Sequence, residues 1–129
     1  MFPRFLVLQH KGGEYAGINL SGLKADLEPI GEILRGAEQH LTKPSTTGNI
    51  GLQLHDTRLD RAAVSRIVEW LQRVVHHIYR LAVIGASLRQ RHLFRRELRR
   101  RGINVNVTFV YDWEIAKDWL VGKPRSDRS

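Results

Sequence analysis

A single-domain α/β fold, with a five-stranded mixed sheet and four main helices, is what this sequence predicts. Three observations carry that reading. Strand-like and helix-like segments alternate along the chain, which implies a mostly parallel sheet with right-handed crossovers. A Gly-Gly pair within Lys11-Gly12-Gly13 separates the first two strand-like runs, a hairpin signal that adds an antiparallel part. The length of 129 residues suits one domain at ~100–200 residues each. The domain is expected over residues 1–121, and residues 122–129 read as a polar tail.

The elements follow in order. Strands are expected over 5–10 and 14–20, the second alternating Ala16, Ile18 and Leu20 onto one face. Leu23, Leu27, Ile30, Leu34, Ala37 and Leu41 then recur at spacings of four and three, one helical face. Pro29 is compatible with that helix if Asp26 is the N-cap, because the first turn needs no backbone donor. The helix is placed from about Leu27 to His40. Thr42 to Gly48 is a loop, and Asn49 to Leu54 a short strand.

Asp60 is positioned to cap the next helix. That helix carries Val64, Ile67, Val68, Leu71, Val74, Val75 and Ile78 on one face, with Ser65, Glu69, Gln72 and His76 opposite. Trp70 falls at the edge of the stripe, next to Arg66 and Arg73. There it packs into the core, or lines a groove or a contact with a second copy. Leu81-Ala82-Val83-Ile84 is a continuous apolar run that suits a strand buried on both faces. Ser87 and Gln90 form a capping box for a helix running to about Arg101, which Gly102 stops. Ile103 to Phe109 alternates as a strand. Asp112 caps the last helix, with Ile115, Ala116, Trp119 and Leu120 facing inward.

Composition removes several function classes. The absence of cysteine rules out a disulfide scaffold, a cysteine zinc site, an iron–sulfur cluster and a thiol nucleophile. No run approaches the ~20 apolar residues that span a bilayer. The N-terminal run also lacks the pattern of a signal peptide, so a cytoplasmic location is expected. His76 and His77 are adjacent and diverge by ~100° on a helix, so they do not form a metal set. Gly17 and Gly22 have P-loop spacing, but Leu23 stands where lysine is required. Neither metal nor cofactor is expected, and no catalytic residue is assigned.

Charge is the unusual property. The formal net charge is +8, and 16 of the 21 basic residues are arginine. Arg89, Arg91, Arg95, Arg96, Arg99, Arg100 and Arg101 face one acid, Glu97, within residues 89–101. That segment carries +6, while 14 basic and 12 acidic residues elsewhere leave +2. Leu88, Phe94 and Leu98 are expected on its inner face, and Arg89, Arg96 and Arg100 share one side. These arginines are the candidate contact for an anionic partner: an acidic protein, an anionic membrane surface, or a nucleic acid. Nucleic acid is the less favoured partner. Phe94 is the segment's one aromatic and is needed for the core, which leaves none for stacking bases. The ordinary alternative is a solvated face whose arginine stems cover apolar surface.

Two smaller candidates remain. His55, Asp56, Arg58 and Asp60 cluster after a strand, where α/β folds host ligands. A carboxylate–histidine pair can do acid–base work, but turn chemistry also explains these residues. Gly85 and Ser87 open a helix after a central strand and form a possible anion site.

Three stretches carry a family resemblance. Asn19-Leu20-Ser21-Gly22-Leu23 with Asp26 and Pro29, Arg80-Leu81-Ala82-Val83-Ile84-Gly85, and Val110 to Leu120 with Ala116 and Trp119-Leu120 follow in order. Together they resemble the SpoIIAA-like proteins of the STAS group (sulfate transporter and anti-sigma-factor antagonist domains), over about residues 5–121. The resemblance implies a non-catalytic module that binds a protein or a small apolar, lipid-like ligand. It also implies a phosphoacceptor serine after an aspartate at the start of the second main helix. Here Asp60 is followed by Arg61, and Ser65 lies one turn deeper, so no phosphoacceptor is assigned. Ala86 stands after Gly85 where that group often has an acid.

Overall fold

The computed structural model describes residues 5–23, 27–43, 48–55, 57 and 59–122. It contains strands β1 (Phe5–His10), β2 (Gly13–Asn19), β3 (Asn49–Gln53), β4 (Arg80–Ile84) and β5 (Val107–Val110). The helices are α1 (Leu27–Leu41), α2 (Arg61–Val74), α3 (Leu88–Arg100) and α4 (Trp113–Val121), with a 3-10 turn at Val75–His77. The sheet order is β1-β2-β3-β4-β5. β1 pairs antiparallel with β2, and every later neighbour is parallel.

That sequential order dictates the layers. Three right-handed crossovers in one direction must leave α1, α2 and α3 on the same face. Ile18, Ile50, Leu52, Leu81 and Val83 point to that face and join Ile30, Leu34, Ile67, Leu71 and Phe94 in the main core. α4 follows the last strand and covers the opposite face, where Ala116 and Leu120 meet Tyr15, Ala82 and Ile84. All five residues of β4 are buried: the unbroken apolar run Leu81–Ile84, and Arg80 before it.

The hairpin turns at Lys11 and Gly12, both with positive φ, and Gly13 already pairs with His10 in the sheet. This two-residue turn matches the twist of the flanking strands. The strand therefore starts one residue earlier than the Gly-Gly signal indicates. α2 ends at Val74, so Val75 falls in the 3-10 turn and Ile78 beyond it. Residues 103–106 stay outside the sheet, although their pattern alternates. β4 begins at Arg80, and Leu81 pairs with Val107, so earlier residues run past the end of the partner strand.

Two inner faces differ from the sequence expectation. Leu88 is 82% exposed, and Gln90, Leu93, Phe94, Glu97 and Leu98 form the buried side of α3. Gln90 and Glu97 are tolerated there because each is bonded. Gln90 donates to the Thr57 carbonyl at 2.6 Å, and Glu97 accepts from Arg100. Ile115 is also exposed, and Trp113, Ala116, Trp119 and Leu120 do the packing of α4. Trp70 is buried in the main core, so it lines neither a groove nor a contact with a second copy. The expected Asp26 cap lies outside the described residues, as do residues 123–129 of the polar tail. Among the described residues no helix is long and apolar enough to cross a membrane.

Candidate functional site

Helix α3 sorts its arginines into three groups. At ~100° per residue, Arg89, Arg96 and Arg100 form a row beside α2, Arg91 and Arg95 a row beside β5, and Arg99 points outward between them. The β5 row is occupied. The Arg91 guanidinium lies 5.4 Å from the Tyr111 ring centroid, and that of Arg95 lies 4.8 Å from the Phe109 ring. Arg91 also donates from Nε to the Ala86 carbonyl. These stacked cations shield the sheet edge at about 0.5–1 kcal/mol each.

Glu97 organises Arg100 and, just past the helix, Arg101. Its carboxylate accepts from Nη2 of Arg100 at 2.8 and 3.1 Å and from Nε of Arg101 at 3.4 Å. Arg101 also donates to Gln72 and Ser65 on α2. Arg101 is thus a brace between α2 and α3, with its guanidinium committed on both sides. The Arg100 hydrogen bond holds the Glu97 carboxyl below the usual glutamate range, against a smaller opposing push from burial. Because the folded value is depressed, this contribution to stability is complete above about pH 4.5, the ordinary glutamate value. It is lost as pH falls through the lowered folded value. Wild-type protein is therefore expected to lose stability more steeply than Glu97→Gln on acidification below that point. Denaturant melts from about pH 2 to about pH 6 read this directly. Parallel slopes would refute it.

The remaining three are free: the side chains of Arg89, Arg96 and Arg99 are exposed and make no hydrogen bond or ion pair with any described residue. Arg96 and Arg100 line one side of a groove of about 300 Å³ between α2 and α3. Arg61 lines the other side, Val64 and Leu93 supply apolar surface, and Glu97 completes the wall. Sequence reasoning missed Arg61, because only the packing of α2 on α3 brings it opposite Arg96. It also passed over Glu97, the lone acid whose spacing to Arg100 and Arg101 was the available signal.

The other candidates occupy the C-terminal end of the sheet. The Trp113 indole, which can only donate, bonds Gln53 Oε1 at 2.6 Å. This turns the Gln53 amide nitrogen toward His55 Nδ1, 3.0 Å away. His55 Nε2 must then donate to the Tyr111 carbonyl at 3.0 Å. Nδ1 thus accepts and Nε2 donates, so both ring nitrogens are engaged. Gly85, at φ 79°, lies against this ring, and a Cβ there would come within 2.4 Å of it. Asp60 caps α2, accepting from the Ala63 N–H at 2.9 Å. Asp56 and Arg58 lie outside the described residues.

At the start of α3, Ser87 Oγ accepts from the Gln90 N–H, and Gln90 Oε1 accepts from the Ser87 N–H. The capping box thus consumes two of the donors that an anion at Gly85 and Ser87 would use. Thr57 ties the same end together by donating from Oγ1 to the Leu20 carbonyl while its own carbonyl accepts from Gln90. Ser65 is half-buried and receives the Arg101 guanidinium.

This architecture, a hairpin-edged parallel sheet with three helices on one face and a closing helix on the other, is a SpoIIAA-like fold. The chain is similar to the crystal structure of an uncharacterised protein from the DUF3478 family with a SpoIIAA-like fold, from Shewanella loihica. The two share 18% sequence identity with a TM-score of 0.59, over 90% of this chain and 91% of that one. No protein-family model matches the chain. No curated protein matches it either.

Proposed function

We propose that this protein is a non-catalytic, cytoplasmic binding module that engages a lipid-like ligand at an anionic membrane surface through α3. One observation carries the reading: three exposed arginines, whose side chains have no partner among the described residues, share a helix with Leu88, which is 82% exposed at its first turn. Tyr111, 75% exposed, emerges at the same end of the sheet, since Ile84 pairs with Val110. Apolar side chains beside free cations suit a headgroup boundary, where each basic residue adds about 1 kcal/mol. The engaged imidazole of His55 favours a binding role over acid–base chemistry.

Co-sedimentation tests this with phosphatidylcholine vesicles and with vesicles containing phosphatidylglycerol. Binding is expected only with the anionic lipid, and it weakens as salt rises. Arg89→Gln/Arg96→Gln/Arg99→Gln is expected to cut affinity by about 100-fold, three contributions of roughly 1 kcal/mol. Indifference to lipid charge removes the reading. Salt-dependent binding to duplex DNA without vesicle binding transfers the arginine face to nucleic acid.

A further inference from the structure

We infer that the groove between α2 and α3 is a binding site for a phosphate monoester carried on an apolar stem. The inference rests on the reading of α3 as an anion-facing helix and assigns a place and a chemistry to it. Arg61, Arg96 and Arg100 surround the groove, with one carboxylate among them, Glu97. The lining is therefore +2, and a phosphate monoester carries about −1.5 to −2 at pH 7.

The cations are differently prepared. Arg96 and Arg100 are one turn apart on α3, about 6 Å along the axis. Arg100 spends only Nη2 on Glu97, which leaves Nη1 and Nε as donors. Glu97 thus acts as a positioning residue: it holds the Arg100 fork from within, with its own side chain only 10% exposed. Arg61, the first residue of α2, approaches from the opposite wall. Guanidinium groups from two helices can each offer a planar pair of donors to different phosphate oxygens.

Leu93, 8% exposed, still presents an apolar edge to the groove above the fully covered Val64, and the methylene stems of the arginines add to it, so the ligand meets carbon as well as charge. A bare phosphate leaves that surface wet, and an apolar stem covers it. The volume of about 300 Å³ is the low end of ligand sites and fits a phosphate with a short stem.

Calorimetric titration with n-octyl phosphate, inorganic phosphate and uncharged octyl glucoside tests the assignment on the full chain. Octyl phosphate is expected to bind saturably at one site, inorganic phosphate more weakly, and the glucoside not at all. Arg61→Gln and Arg96→Gln are each expected to weaken octyl phosphate at least tenfold. Arg35→Gln, the same charge change on the exposed face of α1, should leave it within twofold. Vesicles of phosphatidate and phosphatidylglycerol at matched charge identify the source. A preference for phosphatidate assigns the site to a lipid headgroup, and equal binding assigns it to a soluble phosphate monoester. The groove is rejected if octyl phosphate does not saturate, or if Arg35→Gln weakens it as much as Arg96→Gln. Anionic vesicle binding that survives such a rejection leaves the membrane reading standing, and its loss ends that reading instead.

Discussion

Replacing Arg80 with leucine is expected to destabilise the protein by about 3 kcal/mol and lower its melting midpoint by roughly 10 °C. Arg80 is buried at the start of β4, yet no described carboxylate pairs with it. Its Nη1 instead donates to the carbonyls of Trp119, Leu120 and Gly122 at the end of α4, at 2.8, 3.2 and 2.5 Å. Those carbonyls are the unpaired acceptors that every helix end leaves, and they carry the negative end of the helix dipole. The rings of Tyr79 and Trp119 flank the guanidinium at 5.1 and 5.9 Å. Charge-assisted bonds of this kind are worth about 1.5–3 kcal/mol, against ~0–1 for exposed pairs such as Arg66–Glu69. Arg80→Lys should recover only part of the loss, because an ammonium cannot also stack between two rings. Urea denaturation of the three proteins measures the effect, and a change below about 1 kcal/mol for leucine would show that water replaces the guanidinium at little cost.

An added methyl group at Gly51 should be nearly as damaging, at about 1–3 kcal/mol for overpacking. A Cβ there would lie 2.5 Å from both Cη2 and Cζ3 of Trp113 and 3.3 Å from Cδ1 of Ile84. Trp113 has nowhere to retreat. Its indole N–H is held by Gln53, and its ring packs against Tyr15 at 5.8 Å between centroids. Gly17 on the neighbouring strand leaves the rest of the flat seat, with a Cβ distance of 3.2 Å to the same ring. Trp113→Phe shortens the ring and relieves the clash, so the Gly51→Ala/Trp113→Phe double variant should cost less than the two single costs combined. The expected coupling exceeds about 1 kcal/mol, and additivity within about 0.5 kcal/mol would reject the seat. Near-UV circular dichroism should report the displaced tryptophan in Gly51→Ala alone.

The element order was legible because strands and helices of strong period alternate and three caps, Asp60, Ser87 and Asp112, stand where helices begin. Periodicity was less informative for α3. Its apolar residues are few, and two buried positions hold Gln90 and Glu97, whose partners lie on other turns or other elements. A scan for apolar spacing therefore placed Leu88 inside and passed over Leu93. Likewise, the arginine run read as one block of charge. Separating braces, stacked shields and free cations requires knowing that Phe109 and Tyr111 flank one side and α2 the other. Gly17 drew notice in the sequence only for its P-loop spacing to Gly22, and Gly51 drew none; the position of Trp113 shows both as its seat.

Helix α4, the one described helix on its face, governs the order of assembly. Tyr15, Ala82 and Ile84 are covered by α4, which ends at Val121. Asp118 near that end also bonds His10, 108 positions earlier in the chain. A chain emerging from the ribosome can therefore pack three helices against one side of the sheet while the other side stays bare. The hairpin must wait for α4 before its contacts are complete. Truncation anywhere inside α4 thus exposes the apolar underside of the sheet, and a nascent chain stalled there is the form most open to chaperones and proteases.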